Sequence, residues 1–242
     1  MNGIMKAAVA LMLMMVVMFA AGCKPEDSPN NGGGGSNGGG TYNGHGYVDL
    51  GLPSGTLWAI CNVGANAPEE YGDYFAWGET STKTKYNWST YQLCDGKQKL
   101  IKYCNKSHYG YYGFTDTLTV LQPMDDAATA NWGNGWCIPT ADQWKELRDN
   151  TITAWTTQNG VEGRLLTALN RNTLFLPATG CRSGGWLHYA GSYGNYWSGS
   201  LNTDHPISTW SFYFYSDGYS VCDSCDRFYG FSVRPVRSSC QN

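Results

Sequence analysis

An α+β domain is what the sequence predicts, on three observations. Short β-prone runs recur along most of its length, two helix signals precede the majority of them, and long polar stretches without period intervene. The runs at 47–50 and 56–63 read as strands, separated by the turn-rich Gly51-Leu52-Pro53-Ser54-Gly55. Residues 73–77 form another such run, and 81–113 is polar, rich in Lys and Tyr, and reads as a long loop excursion. A first helix is expected over 125–132, where Ala is frequent and acids at the start suit the helix dipole. The second is better marked: Thr140 stands as a cap with Gln143 three residues later, and Trp144 and Leu147 share one face. It should end near Asn150. Strands are then expected over 152–157, 164–168, 173–177, 196–201, 209–215 and 231–236.

The N-terminal end points to export. Lys6 precedes an apolar and small-residue run over 7–22, too short for a comfortable membrane span and suited to the core of a signal peptide. Phe19-Ala20-Ala21-Gly22-Cys23 resembles a lipoprotein signal, with Ala20 where Leu is usual. That resemblance implies a signal peptide over 1–22 and lipidation of Cys23, which would hold the chain to a membrane through buried CH₂ groups. Lys24-Pro25-Glu26-Asp27 resembles the surface-export signal of Bacteroidetes lipoproteins and implies an outer-membrane, cell-surface location. Residues 30–40 contain only Asn, Gly and Ser, so 23–40 reads as a flexible tether with no apolar surface to offset its backbone entropy. The remaining 41–242 suffices for one domain with a substantial core.

A net charge of −3 and the absence of a basic run argue against nucleic acid as a partner. Eight cysteines follow Cys23, an even number that in an exported chain suggests disulfides. Cys94 and Cys104, ten apart across a polar loop, are the pair expected first.

Several long motifs carry a resemblance. They are residues 47–59, Cys61-Asn62-Val63-Gly64-Ala65, residues 71–79, Asp125-Asp126-Ala127-Ala128, residues 136–144, residues 175–180 and residues 230–236. In this order they resemble the Fibrobacter succinogenes major paralogous domain family. The resemblance implies a C-type-lectin-like fold: two helices, a small twisted, mostly antiparallel sheet, and long loops forming a binding face.

The C-terminal quarter is unusual in composition. From Arg182 to Ser239, 58 residues, there is no Lys, Glu, Gln or Met, whereas those types occur 20 times in the 158 residues from Lys24 to Cys181. Tyr, Ser, Asp, Gly, Asn, Phe, His and Cys take their place, all reachable by changing the adenines of an Asn codon. This resembles the target of a diversity-generating retroelement. It implies that 182–239 is a diversified region and that residues 219–229 derive from an Asn-rich template. Tyr combines large amphipathic area with few torsions, and Ser, Gly and Asn add adaptable hydrogen bonds, the chemistry of a paratope. The expected contact residues are Trp186, Leu187, His188 and Tyr189; Asn202, Asp204, His205 and Ile207; and Asp217, Tyr219, Cys222, Asp223, Ser224, Cys225, Asp226, Phe228 and Tyr229. Trp197, Trp210, Phe212 and Phe214 read instead as core-facing strand positions.

Other chemistry is weighed against this. Cys222-x-x-Cys225 invites a redox or metal role, and the formylglycine-generating enzyme resembles this fold and uses a nearby pair, more widely spaced. Without a βαβ context the motif is a weak redox signal, and two cysteines fall short of a zinc set. His45, His108, His188 and His205 are scattered, and no nucleophile–base arrangement stands out. Asp125-Asp126 could assist a structural calcium, but serves equally to charge and cap the first helix. No metal, cofactor or catalytic residue is assigned. The expectation is a surface-displayed ligand-binding lipoprotein of adhesin or receptor type, its partner a protein or carbohydrate on another cell, phage or host surface. The rivals are an extracytoplasmic enzyme of the formylglycine-generating type and a structural tip subunit of a surface appendage.

Overall fold

The computed structural model describes residues 38–237, apart from the side chains of Cys222 and Asp223. The expected signal peptide, the lipidation of Cys23 and residues 23–37 of the expected tether lie outside the described residues. Within them the chain is a mixed α/β domain of two helices and several small sheets, paired antiparallel except at one point.

The first sheet opens with β1 (Gly39–Tyr42) and β2 (His45–Asp49). Asn43 and Gly44 turn the chain between them, both with positive φ, the requirement of the commonest two-residue hairpin turn. So the last two residues of the expected tether belong to a strand. Gly40 pairs with Tyr47, whose ring crosses where a Cβ would stand, 2.6 Å from the phenol oxygen. β3 (Leu57–Ala59) and β14 (Val236–Arg237) complete this sheet in the order β1-β2-β3-β14.

After β4 (Tyr74–Phe75), the excursion over 81–113 holds only two short 3-10 turns, yet it builds its own core. Tyr86, Tyr91, Leu100 and Cys104 are buried together there. α1 (Ala127–Trp132) is capped by Asp126, whose Oδ1 accepts from the amides of Ala128 and Thr129 while Oδ2 accepts from that of Ile138. α2 (Ala141–Asp149) begins with the anticipated capping box between Thr140 and Gln143. Trp144, fully buried on its inner face, stacks on Phe212 at 4.7 Å and donates its indole N–H to the Trp197 carbonyl.

β5 (Thr151–Gln158), β6 (Val161–Ala168) and β7 (Thr173–Pro177) form an antiparallel meander, and β8 (Cys181–Ser183) and β9 (Trp186–His188) a hairpin. β10 (Gly194–Leu201), β11 (Ser208–Tyr215) and β12 (Gly218–Asp226) join β13 (Phe231–Ser232) and β4 in a five-stranded sheet ordered β12-β11-β10-β13-β4. The β10–β13 pairing is parallel. Trp77 and Trp197 lace this sheet to its surroundings, donating to the carbonyls of Ser198 and Phe75.

Four expectations are corrected. The run 231–236 is two strands, because the chain leaves one sheet for the other across 233–235; Pro235 has no N–H for a ladder. Trp210 is half-exposed rather than core, since a register shift between Thr209 and Ser211 turns it away; Lys145 Nζ lies 5.0 Å over its ring. Cys94 and Cys104 are free thiols, each hydrogen-bonded to nearby carbonyls, Cys94 to Trp88 and Tyr91 and Cys104 to Lys106. Lastly, most of 217–229 is strand β12, because the eight residues of β11 offer it a full antiparallel ladder.

Candidate functional site

The exposed part of residues 182–193 is built on hydrogen-bonded backbone. The β8–β9 hairpin is held along one side by reciprocal bonds between Arg182 and Gly230, and at its turn by reciprocal bonds between Tyr86 and Gly184. Its outer strand stays in water: Trp186 is 75% exposed, and Leu187 and His188 are exposed beside it. Tyr189 follows with φ 59°, a left-handed conformation uncommon for a tyrosine, and is 64% exposed. Its carbonyl accepts from the amides of Ser192 and Tyr193, and the turn is pinned by Gly191 donating to the Ala178 carbonyl and Gly180 to that of Tyr193.

This turn starts a run of tyrosine rings. Tyr189 meets Tyr193 edge-on at 5.2 Å, Tyr193 stacks on Tyr213 at 5.6 Å with 18° between planes, and Tyr213 lies 5.8 Å from Tyr215. The strand period explains it. Phe212 and Phe214 are fully buried, so Tyr213 and Tyr215 must face outward. Gly194 makes the inward packing possible, because a Cβ there would stand 2.0 Å from the Phe214 ring.

Two adjoining hollows follow these rings. One, of about 270 Å³, is lined by Cys181, Ser183, His188, Tyr189, Tyr229 and Phe231. The other, of about 340 Å³, shares Cys181 and Tyr189 and adds Tyr193, Asn195 and Tyr213. Together they make one open groove. Burial raises the Cys181 thiol above its ordinary range, so it stays protonated at neutral pH and is a poor nucleophile. Burial likewise raises the Tyr229 phenol, with smaller contributions from Asp226, Cys181 and Cys225. The groove offers aromatic rings, hydroxyls, an amide and an imidazole, the parts of a binding surface.

Of the expected contact residues, the structure brings His188, Tyr189 and Tyr229 together in this groove, with Trp186 and Leu187 on the same hairpin. The 202–207 group goes elsewhere. Asn202 is 5% exposed and spends its Oδ1 on the amides of Asp204 and His205, so it is corrected from contact residue to turn former. Asp204 and His205 are exposed, beside Lys106 and Tyr109, and Ile207 packs under them on the Tyr86–Tyr91 core. Phe228 is also drawn inward, against Trp88 at 5.2 Å. Asp226 is half-buried, with its carboxyl raised by burial, while Ser224 is exposed and Cys225 Sγ lies 3.2 Å from Ser211 Oγ. The contacts expected of the Cys222 and Asp223 side chains lie outside the described residues.

Asp217 and Tyr219 sit at the β11–β12 hairpin, where Ser216 and Asp217 make the two-residue turn. Neither adopts the positive φ that the common hairpin turns of this length need. Arg164 of β6 compensates: its Nη2 donates to the carbonyls of Tyr215, Ser216 and Gly218, Nη1 donates to Thr153 Oγ1, and the guanidinium lies 4.8 Å from the centre of the Tyr219 ring.

Sequence reasoning missed Tyr193, Asn195, Tyr213 and Tyr215, although inward Phe212 and Phe214 already implied outward neighbours. Elsewhere, Asp125 and Asp126 are not spare cation ligands. Asp125 Oδ2 accepts from Lys102 and Tyr103, and Asp126 is taken up by three amides. Among the described residues no helix is long and apolar enough to cross a membrane. Compared with protein-family models, curated proteins and solved structures, the chain finds no match in any of the three.

Proposed function

We propose that the chain is a surface-displayed, ligand-binding lipoprotein of adhesin or receptor type, with a C-type-lectin-like domain of the Fibrobacter succinogenes major paralogous domain kind. Its ligand face is the β8–β9 hairpin, the 189–193 turn and the tyrosine-bearing outer side of β11. The observation that carries this reading is the pair Trp186 and Tyr189, 75% and 64% exposed on backbone fixed by neighbouring strands. Such rings leave on the order of 300 Å² in water, worth about 7 kcal/mol if covered, before the costs of association. A monomer gains nothing from exposing them; a partner would.

The composition of 182–239 supports diversification by a retroelement, and Trp186, Tyr189, Tyr215 and Tyr219, all exposed, fall inside that region. Lipidation at Cys23 would place this face outside the cell on a tether.

The test is adhesion. Cells displaying the full chain are compared with cells displaying Trp186→Ala plus Tyr189→Ala, against bacteria and host cells from the native habitat. Both residues are exposed, so melting should be unchanged while adhesion falls at least tenfold. Equal adhesion by the double variant refutes this face.

A further inference from the structure

We infer that β5 is the contact of a symmetric dimer, in which two copies of this chain join their β5 edges antiparallel and fuse their meanders into one sheet. β5 is an edge of the sheet ordered β5-β6-β7, and its eight residues pair with β6 without a register shift. Asn159 and Gly160, with φ 48° and 83°, turn the chain between the two strands. A two-residue turn of that kind is closed by a hydrogen-bonded pair, here Gln158 with Val161. Alternation then directs the N–H and C=O groups of Ile152, Ala154 and Thr156 to β6, and those of Thr151, Thr153, Trp155 and Thr157 away from it. Among the described residues, no backbone or side-chain group bonds to the outward N–H and C=O groups of Thr153, Trp155 and Thr157. Such an edge is a template for another strand. Natural edges are guarded by a charge, a proline, a bulge or shortness, and residues 151–158 have none of these. By contrast β12, an edge of the five-stranded sheet, has Asp223 and Asp226 in its sequence.

The match of the edge to itself selects a second copy as the occupant. An antiparallel register centred on Ala154 pairs Thr153 with Trp155 and Thr151 with Thr157, so each outward residue meets another outward residue across the two-fold axis. The strand has no charged side chain to meet its own like across that axis. The ends of the meander are charged oppositely, with Arg148, Asp149 and Arg171 at one and Glu162 and Glu69 at the other, where Glu69 accepts from Asn159. Antiparallel joining lays the positive end of each copy beside the negative end of its partner. It also sets Ile152, 78% exposed, and the exposed Ala154 against the partner's strand. The chain's own residues 30–37 are only Asn, Gly and Ser, poor strand formers and a weaker occupant.

The experiment measures the mass of the purified full chain at about 100 μM by light scattering corrected for detergent, with mild-detergent micelles in excess over protein. Wild type should have the mass of two chains. Ala154→Arg, which sets two like charges opposite each other, should have the mass of one. Ala154 is exposed, so that variant should keep native circular dichroism. An equimolar mixture of Ala154→Arg and Ala154→Glu should recover the two-chain mass. Hydrogen exchange at the amides of Thr153, Trp155 and Thr157 should be at least tenfold slower in wild type than in Ala154→Arg, while that of Thr156, bonded to β6 in both, stays alike. A one-chain mass for wild type overturns the inference, as does a two-chain mass that Ala154→Arg keeps. Failure of the mixed variants to recover the dimer overturns it too, and so does slow exchange at the three amides in a chain of single mass, which would put some other strand on the edge. None of these outcomes bears on the ligand face, because Trp186 and Tyr189 lie outside β5.

Discussion

Arg164→Met isolates how the face is held in place. In the native structure the guanidinium, 5% exposed, reaches from the β5–β7 meander to the carbonyls of Tyr215, Ser216 and Gly218 at 2.7, 3.2 and 3.2 Å. Nη2 has two hydrogens for three acceptors, so about two good charge-assisted bonds are made, together worth roughly 3–6 kcal/mol gross. Two effects reduce the loss. The turn residues are exposed, so water can reach the released carbonyls. Removing the guanidinium also relieves its burial, which already lowers its pKa. A net destabilisation of about 2 kcal/mol remains, or about 4–8 °C in melting temperature for a domain this size. The sharper readout is local. Hydrogen exchange at Gly218, Tyr219 and Ser220 should speed up at least tenfold, while that of α2 follows global stability only. Arg164→Lys, which keeps the charge but not the fork, should fall between. Melting within 1 °C of wild type with unchanged hairpin exchange would show that Arg164 does not organise this turn.

Three further outcomes follow from the same structure. Burial pushes the Asp126 carboxyl up to about 6 against the opposition of three amide donors. The folded state therefore holds this proton more tightly than the unfolded chain. The resulting stability is fully present below about pH 4 and lost as pH rises through 6, about 3 kcal/mol in all. Urea midpoints from pH 4 to 7 should show this fall, and Asp126→Asn should flatten it; a slope kept by that variant contradicts the assignment. Gly194→Ala should cost several kcal/mol by driving a methyl into the Phe214 ring, seen as lost near-ultraviolet circular dichroism or insoluble expression; a stable, soluble variant with native dichroism would be the contrary result. Alkylation of the denatured, unreduced chain should label both Cys94 and Cys104, and a peptide cross-linked between them in mass spectra would contradict the free thiols.

How much was legible in the residues depends on whether the signal was local. α2 is readable because its cap, its reciprocal Gln143 and its inner Trp144 and Leu147 all lie within one short segment. The strand 173–177 was readable for the same reason, an unbroken apolar run. β1 was not: Gly39 and Gly40 have poor strand propensity and are extended only because β2 lies alongside, an influence from nine and seven residues away. β12 was hidden by its own composition, since Tyr, Ser, Asp and Cys read as loop until β11 supplies the ladder. Cys94 and Cys104 looked pairable by separation alone, which says nothing of where their thiols point.

The site divides similarly. The exposure of Trp186 to Tyr189 was legible in composition, because aromatic residues among glycines and serines have few places to be buried. Asn202 misled, since a polar side chain in a turn often serves the turn's own backbone. Tyr213 and Tyr215 were available by parity once Phe212 and Phe214 were placed inside. Arg227 and Arg234 show how far charge can depart from exposure. Both are fully buried, the first donating to the carbonyls of Lys102 and Tyr103, the second to Asn62, Ala59 and Ile60.

The claim that partners meet this protein at its tyrosine groove is tested most directly by hydroxyl-radical footprinting of the full chain, free and bound to the cells it adheres to. Protection is predicted at Trp186, Tyr189, Tyr193 and Tyr213, with Ile152 and Leu169 on the far meander labelled equally in both states. Protection of Ile152 and Leu169 with the four aromatic residues unchanged would contradict it.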